Sequence, residues 1–563
     1  MQYCGMQVEG LDTAVVKKIN TKTYTEQQIA EIKLHYENQL EEIRAYHKNE
    51  MDELKRNVIE YENKYLAIKE RYDLLIYRRF MRSAEQIPCD SKQQLLFTPE
   101  AEPSEIPEEN IKDDDNEKTE VKSYSRSKRG RKPIDPKIPR VVRIIDIPET
   151  EKNCACGAQL VKIGEEISEK LRIIEPQIYV DQIVRPKYAC RCCEGTEDES
   201  KPAVRIAPVE PSMIPRGIAS PSVLSWVFTH KFEDHLPYCR QEKQFERIGV
   251  EISRQDMSNW QQDVYIKLIP LLCLLKETVK TGPVMRMDET SVQVMSGIKH
   301  KKGTKKDENA KPDIHTGWMW LARGGPPGKT VVWYEYHESR SGKHAKEFLE
   351  GYSGYLQTDG YDGYGSAVKE KPEIIHVGCF AHARRKFFEA SKVSKAGKSA
   401  EEGIKYIRKL YDVEDAMRSK NLSEDDFVTQ RQEAAQPILE QFKKWLLKRV
   451  DEVQPTGLMG TAIKYTLNQW NKMTAYLGSY HLTPDNNACE NAIRPFVIGR
   501  KNWLLSGSPE GAKSSCGIYS LIETAKQNGI VPVHYLSVLF EKAPYASSSE
   551  DWEKLLPWNI FTN

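Results

Sequence analysis

The chain has 563 residues, too many for one hydrophobic core, so two to four domains are expected. Lys+Arg (83) and Asp+Glu (82) balance to a net charge of +1, so partners must be read from local rather than total charge. A mean hydropathy of −0.63 fits a soluble protein with long polar helices. The longest apolar run, "LIPLLCLL" at 268–275, is far short of the roughly 20 residues a span needs. The N-terminus lacks the basic-then-apolar order of a signal peptide. Five of the 12 cysteines fall within one 40-residue window, which suits a reduced cytoplasmic protein with a metal site better than a secreted disulfide scaffold.

Residues 24–82 contain neither Gly nor Pro. Met51, Leu54, Val58, Tyr61, Tyr65, Ile68, Tyr72 and Leu75 alternate steps of three and four, the seam of a coiled coil. The expectation is self-association through residues 1–97; the alternative is a long helix folded back on its own domain. Residues 98–140 form a linker. Its first part, 98–120, carries ten acids, and 122–140, "KSYSRSKRGRKPIDPKIPR", carries eight basic residues and one acid. Such a segment is either a solvated tail or lies in a DNA minor groove with Arg129 and Arg131 inserted.

Residues 141–210 hold the cysteine cluster. Cys154-x-Cys156 opens it and Cys190-x-x-Cys193 follows after a stretch, "RIIEPQIYVDQIVRPKYAC", that reads as strands. Two close pairs across a small β module predict one structural Zn²⁺ held by four thiolates, with Cys192 as a substitute ligand. Residues 211–280 read as helical. "RQEKQFERIG" ends in Gly, and a new helix restarts after Ser253, a plausible N-cap. The outline is that of a helix-turn-helix, with Arg254, Gln255, Ser258 and Asn259 facing DNA, or else of an ordinary helical hairpin.

From 283 the texture changes. "VMRMDETSVQVM", "HTGWMWLARGG" and "TVVWYEYHES" predict three strands, "GKHAKEFLEGY" a helix, "YLQTDGYDGY" a strand ending at Asp359, and "EIIHVGCFAHARRKFFEASK" a strand followed by a helix. This order is that of the ribonuclease H fold, in which the first strand is central and the fourth lies beside it. Asp288 and Asp359, 71 residues apart, can then meet, and a third acid must come from a later helix. Residues 391–480 are polar and helical, an insertion. Beyond it stands Glu490, in "NNACENAIRPFVIGRKNW", on a helix expected to open near Thr483-Pro484. Two aspartates and a glutamate suit two Mg²⁺ ions for in-line phosphoryl displacement. Glu289 is expected on the strand face opposite Asp288, and Asp362 in a turn. His382 either orients a phosphate or water near the acids or is a core histidine. Arg494, Arg500 and Lys501 are expected on DNA phosphates, and Trp503 either stacks on a base or packs in the core.

These stretches, with "CACGAQLVKIGEEISEKL", "HLPYCRQEKQFERIGVEIS", "SGSPEGA" and "YSLIETAKQNGIVPVHYL", resemble the DDE-type transposases of the insertion sequence 66 family across most of the chain. The resemblance implies an enzyme that binds the ends of its element, cleaves there and joins the freed 3′-hydroxyls to target DNA. It puts the catalytic, Mg²⁺-binding acids on Asp288, Asp359 and Glu490, and the zinc ligands on Cys154, Cys156, Cys190 and Cys193. It also implies small accessory proteins from the same element and a bacterial cytoplasm, with nucleoid association when DNA is bound. A DNA-binding regulator without catalysis, and a ribonuclease-H-like nuclease without strand joining, are the alternatives. The expected fold is therefore multidomain α+β: coiled coil, zinc-binding β module, helix-turn-helix-like region, and a ribonuclease-H-like core over 281–390 and 481–530 interrupted by the helical insertion, with 531–563 as a C-terminal tail.

Overall fold

The computed structural model describes residues 25–80, 142, 177–189, 204–296, 313–393 and 397–561. The linker arginines Arg129 and Arg131, the four cysteines expected to hold zinc and most of the basic loop after residue 296 lie outside these residues. The chain divides into two compact units, one of residues 103–209 and one of residues 1–102 with 210–563.

In the smaller unit, β1 (Lys187–Ala189) pairs antiparallel with β2 (Val204–Ile206), bringing Lys187 opposite Ile206. The preceding residues 177–186, expected as strand, carry no regular structure and pair with no strand among the described residues. Ile178, Val180, Ile183 and Val184 stay exposed, so no buried face holds a register there.

The larger unit begins with α1 (Glu26–Phe80), a 55-residue helix uninterrupted because the segment has no Gly or Pro. Its first forty residues are exposed throughout. The structure realises part of the fold-back alternative for this segment. The last turns do fold back, through Asn63, Ala67, Glu70, Leu74 and Arg78. Ala67 and Leu74 are buried, Glu70 accepts from the Leu458 amide at 2.8 Å, Gln454 Nε2 donates to the Asn63 carbonyl, and Arg78 pairs with Glu389. The heptad residues from Met51 to Leu75 point elsewhere and are all more than half exposed.

Four helices follow: α2 (Pro221–Phe232), α3 (Tyr238–Arg247), α4 (Arg254–Lys267) and α5 (Ile269–Thr278). Ser253 caps α4 as expected, in a reciprocal capping box with Asp256. Gly249, at φ +81°, ends the turn after α3 in the left-handed region.

The main sheet contains β3 (Val284–Ser296), β4 (Asp313–Gly324), β5 (Val331–His337), β6 (Gly354–Gln357) and β7 (Ile374–Val377) in the order β5-β4-β3-β6-β7. β3, β4 and β5 pair antiparallel in succession. β6 pairs parallel to β3, with Arg286 opposite Gln357, and β7 parallel to β6. Helices α6 (Gly342–Phe348) and α7 (Asp362–Val368) cover one face; Trp320 meets His344 and Tyr364 there. Asp362 is thus the first residue of a short helix rather than part of an open turn.

Next comes a helical layer: α8 (Phe380–Val393), α9 (Gly397–Arg418), α10 (Glu424–Val450), α11 (Leu458–Asn468) and α12 (Trp470–Thr474). It has its own core around Phe387, Ile407, Leu439, Phe442 and Leu446. The chain then returns to the sheet as α13 (Asn487–Trp503), β8 (Leu505–Ser506), which adds parallel to β3, and α14 (Pro509–Gln527). α14 covers the second sheet face, where Cys516 touches Met319. Residues beyond 530 are not a loose tail. α15 (Pro532–Lys542) and α16 (Ser549–Lys554) bury Tyr535, Leu536, Leu539, Phe540 and Trp552 in the main core, as their helical spacing dictates.

One polar cluster binds the helical layer to the segment leading into α13. Arg431, 0% exposed, contacts Glu414 at 3.2 Å and donates to the carbonyls of Tyr476 (2.8 Å), Ser479 (2.7 Å) and Leu482 (3.1 Å). Arg418 adds a contact to Glu414 at 2.9 Å and another to the Leu482 carbonyl at 3.0 Å. Arg431→Ala strands a buried carboxylate and several carbonyls. We expect a loss of roughly 3–5 kcal/mol in urea unfolding of the full chain; a loss below about 1 kcal/mol, the worth of a single ordinary hydrogen bond, would contradict this account.

Candidate active site

Asp288 is the fifth residue of β3, and alternation decides where it points. It lies opposite Leu321, next to Met319 on the face covered by α14; Glu289 lies opposite Trp320, on the face of α6 and α7. Glu289 therefore faces away from Asp288, as the strand period requires. It is buried against Arg340, whose Nε donates at 2.8 Å, and Tyr364, whose hydroxyl donates to its second oxygen. The guanidinium of Arg340 stacks on Trp318 and Tyr361. No sequence motif announced this buried acid–arginine pair.

Asp359 stands two residues past β6, and its Oδ1 accepts from the Tyr361 amide at 2.9 Å. Because β6 lies beside β3, the topology carries Asp359 to the neighbourhood of Asp288.

Glu490 is in the first turn of α13, where the helix dipole favours an anion. The helix opens at Asn487, three residues later than Pro484. Asn486 does not cap it: its Nδ2 donates instead to the Met287 carbonyl at 3.1 Å, and its amide reaches Cys379 Sγ at 3.2 Å. Just upstream, Arg286 donates to Gln357 (2.9 Å) and to the His481 carbonyl (3.0 Å), while Gln357 Nε2 donates to the Thr483 carbonyl (2.7 Å). Side chains of β3 and β6 thereby hold the start of α13 against the strands that bear the aspartates.

The three acids act on one another. Burial pushes the Asp288 carboxyl well above its ordinary value, and Glu490, Glu289 and Asp359 push it further. Burial raises Glu490 to about 7; Asp485 and Asp359 add to the rise while Arg385 and Arg494 oppose it. Glu490 is 3% exposed, and neither carboxylate oxygen has a hydrogen-bond partner. Three mutually repelling carboxylates, with both oxygens of the buried Glu490 unpartnered, fit a divalent cation.

His382, on the first turn of α8, lies with Nδ1 3.8 Å from Glu490 Oε1. Burial, with Arg385 and Lys386, lowers its pKa to about 4, so it is neutral near pH 7. Arg385 Nη2 stands 4.0 Å from Glu490 Oε2. Both basic neighbours come from "CFAHARRKF", whose i, i+3 spacing is the one signal that could have placed Arg385 beside His382.

The residues expected on DNA fall on two helices. Arg254, Gln255 and Asn259 are exposed near the start of α4, with Ser258 half-buried; Arg254 pairs loosely with Glu242 at 3.8 Å, and Gln255 donates to Asn259 at 2.9 Å. On α13, Arg494 is half-buried one turn after Glu490 and Lys501 is exposed. Arg500 is committed to β3: Nη1 donates to Thr290 Oγ1 at 2.8 Å and to the Ser291 carbonyl. Trp503 packs edge-on against Phe496 at the rim of the core.

A carboxyl whose folded pKa is raised from 4.5 to about 7 stabilises the fold below pH 4.5 and loses that contribution as pH rises through 7. Glu490→Gln removes the loss. Without added divalent metal, the variant should exceed the parent chain by up to about 3 kcal/mol at pH 8 and match it near pH 4.5, read from urea unfolding at both pH values. A variant that is less stable at pH 8 would overturn this electrostatic account.

Residues 216–514 match the model of the transposase IS66 family, residues 151–194 the zinc-finger binding domain of transposase IS66, and residues 520–558 the IS66 C-terminal element. Among curated proteins, "Uncharacterized protein y4qI" of Sinorhizobium fredii is 31% identical over 446 residues, 77% of this chain and 78% of the relative. "Uncharacterized protein y4jD" of the same organism is 30% identical over 429 residues, 75% and 80% of the two chains. The zinc-finger match covers Cys154, Cys156, Cys190 and Cys193. The long match encloses the three converging acids and the helices on either side of them. This chain belongs to the transposase IS66 family.

Proposed function

We propose that this protein binds the ends of an insertion sequence and catalyses Mg²⁺-dependent DNA cleavage and strand transfer. The observation that carries the reading is the convergence of Asp288, Asp359 and Glu490 at the seam of a β5-β4-β3-β6-β7 sheet, an order that supports a ribonuclease-H-like core. In this reading the three carboxylates hold two Mg²⁺ ions, which when bound stabilise the attacking and leaving oxygens of an in-line displacement. The rest is done by the chain. Burial keeps Glu490 out of bulk water. Arg385 and Arg494 offset the charge on Glu490 and supply positive potential where a phosphate would approach. Lys501, Arg254 and Gln255 bind DNA from exposed positions, and Arg500 holds α13 to β3 while its flank meets the backbone. Arg129 and Arg131 add minor-groove contact. Cys154, Cys156, Cys190 and Cys193 hold one structural Zn²⁺, and α3 and α4 act as a helix-turn-helix. The heptad face of α1 pairs with another copy, and accessory proteins of the element join the assembly in the bacterial cytoplasm.

The test compares cleavage of a labelled element end in Mg²⁺ with gel-shift of the same DNA. Glu490→Gln, Asp288→Asn and Asp359→Asn should each lose at least a hundredfold in cleavage, about 2.7 kcal/mol, while still shifting the DNA. Asp362→Asn should stay active. A Glu490→Gln protein that cuts at the parent rate would refute the site. For self-association, Ile68→Lys with Leu75→Lys spoils the heptad face and spares Ala67 and Leu74. The mass by light scattering should fall to the monomer, and an unchanged mass would rule out pairing through α1.

A further inference from the structure

Cys379 and His382 are not used by the proposed chemistry, yet they adjoin it. Cys379 immediately precedes α8 and His382 occupies its first turn, so the spacing sets both donors on the side facing α13. Ligand atoms of Cys379, His382 and Glu490 all lie within 4.8 Å of one another. Cys379 is 2% exposed, and His382 Nδ1 and both Glu490 oxygens are buried without a hydrogen-bond partner. Buried polar atoms ordinarily find partners, and three unpartnered ligand atoms converging beside a thiol fit a cation. The Asn486 amide aimed at Sγ at 3.2 Å is the kind of outer contact that steadies a ligating thiolate.

The donor chemistry selects the ion. Asp288 and Asp359 add only oxygens to Glu490, which suits Mg²⁺. Sulfur, imidazole nitrogen and one carboxylate suit Zn²⁺, with three protein ligands and one open position. Zinc–ligand bonds are about 2.0–2.3 Å, so side-chain shifts of about 1 Å would close the shell.

We propose that Cys379, His382 and Glu490 form a second, soft-metal site that takes Zn²⁺ and draws Glu490 away from Mg²⁺, making zinc an inhibitor of DNA cleavage. On binding, the Cys379 thiol gives its proton to solvent and the thiolate bonds to the metal; nothing is oxidised or reduced. The inhibitory consequence rests on the function proposed above. The metal site itself does not.

The experiment is therefore first a binding measurement on the full chain without DNA. Co²⁺ is titrated into the parent protein and into Cys379→Ser, and thiolate-to-cobalt charge transfer is followed in the near ultraviolet. The zinc-finger cysteines contribute equally to both, so the difference isolates Cys379. We expect the parent to show the additional band and to retain one more Zn²⁺ per chain in equilibrium dialysis than Cys379→Ser. His382→Asn, which preserves a polar side chain of similar reach, should weaken that extra zinc at least tenfold. Asp288→Asn should keep it. Identical cobalt spectra and zinc stoichiometry in parent and Cys379→Ser, with both chains melting as folded proteins, would overturn the site. In Mg²⁺-driven cleavage, the zinc concentration that halves each protein's own zinc-free rate should rise at least tenfold in Cys379→Ser. Equal zinc sensitivity alongside the cobalt band would overturn the inhibitory role alone.

Discussion

The active-site geometry depends on how the short segment from Tyr480 to Asn486 is held. The helical layer grips it from one side through the carbonyls bound by Arg431 and Arg418. The sheet grips it from the other through Arg286, Gln357 and the Asn486 amide group. Each contact is a side chain meeting a main-chain group that would otherwise be buried unpaired, so the segment has little freedom to slide. Four residues later comes Glu490. The insertion of some ninety residues between the second and third acids is thus part of the positioning apparatus, because its buried Glu414–Arg431 pair fixes the chain's return to the sheet.

The same enclosure has an electrostatic cost. Burial and mutual repulsion raise Asp288 and Glu490 together, and the cationic neighbours Arg385 and Arg494 offset this only in part for Glu490. A metal-free site of this kind favours protons over open charge. Divalent cations compete with those protons, so metal affinity and pH are coupled at the point where catalysis is proposed. The soft donors on the far side of Glu490 make metal identity a second variable.

The long N-terminal helix separates two tasks by angle. Residues spaced along one side of its last four turns meet α8 and α11, while the heptad residues occupy the opposite side and remain exposed. A partner helix laid on the heptad face would be rigidly connected to the body through Glu70 and Arg78. Pairing of two copies through α1 would then fix how far apart their bodies stand.

Much of this was legible in sequence because it is local. The Gly- and Pro-free run dictated α1, Ser253 its capping box, and period-two alternation both the strands and the opposite facing of Asp288 and Glu289. The helical insertion was also recognisable, since its helices are contiguous in sequence. Tertiary structure decided what depends on distant partners. Residues 177–186 have strand composition, but among the described residues nothing covers them and they pair with no strand. Residues beyond 530 are amphipathic, and only the presence of α2 and α14 makes them core rather than tail. Arg500 carries a cation suited to phosphate, but β3 lies within its reach. Cys379 and His382 lie three residues apart, but the carboxylate beside them, Glu490, is 108 residues downstream of His382. Sequence spacing encodes which face a side chain takes on its own helix or strand; which other face it meets is set by packing, and that alone brought Glu490 to Asp288 on one side and to Cys379 on the other.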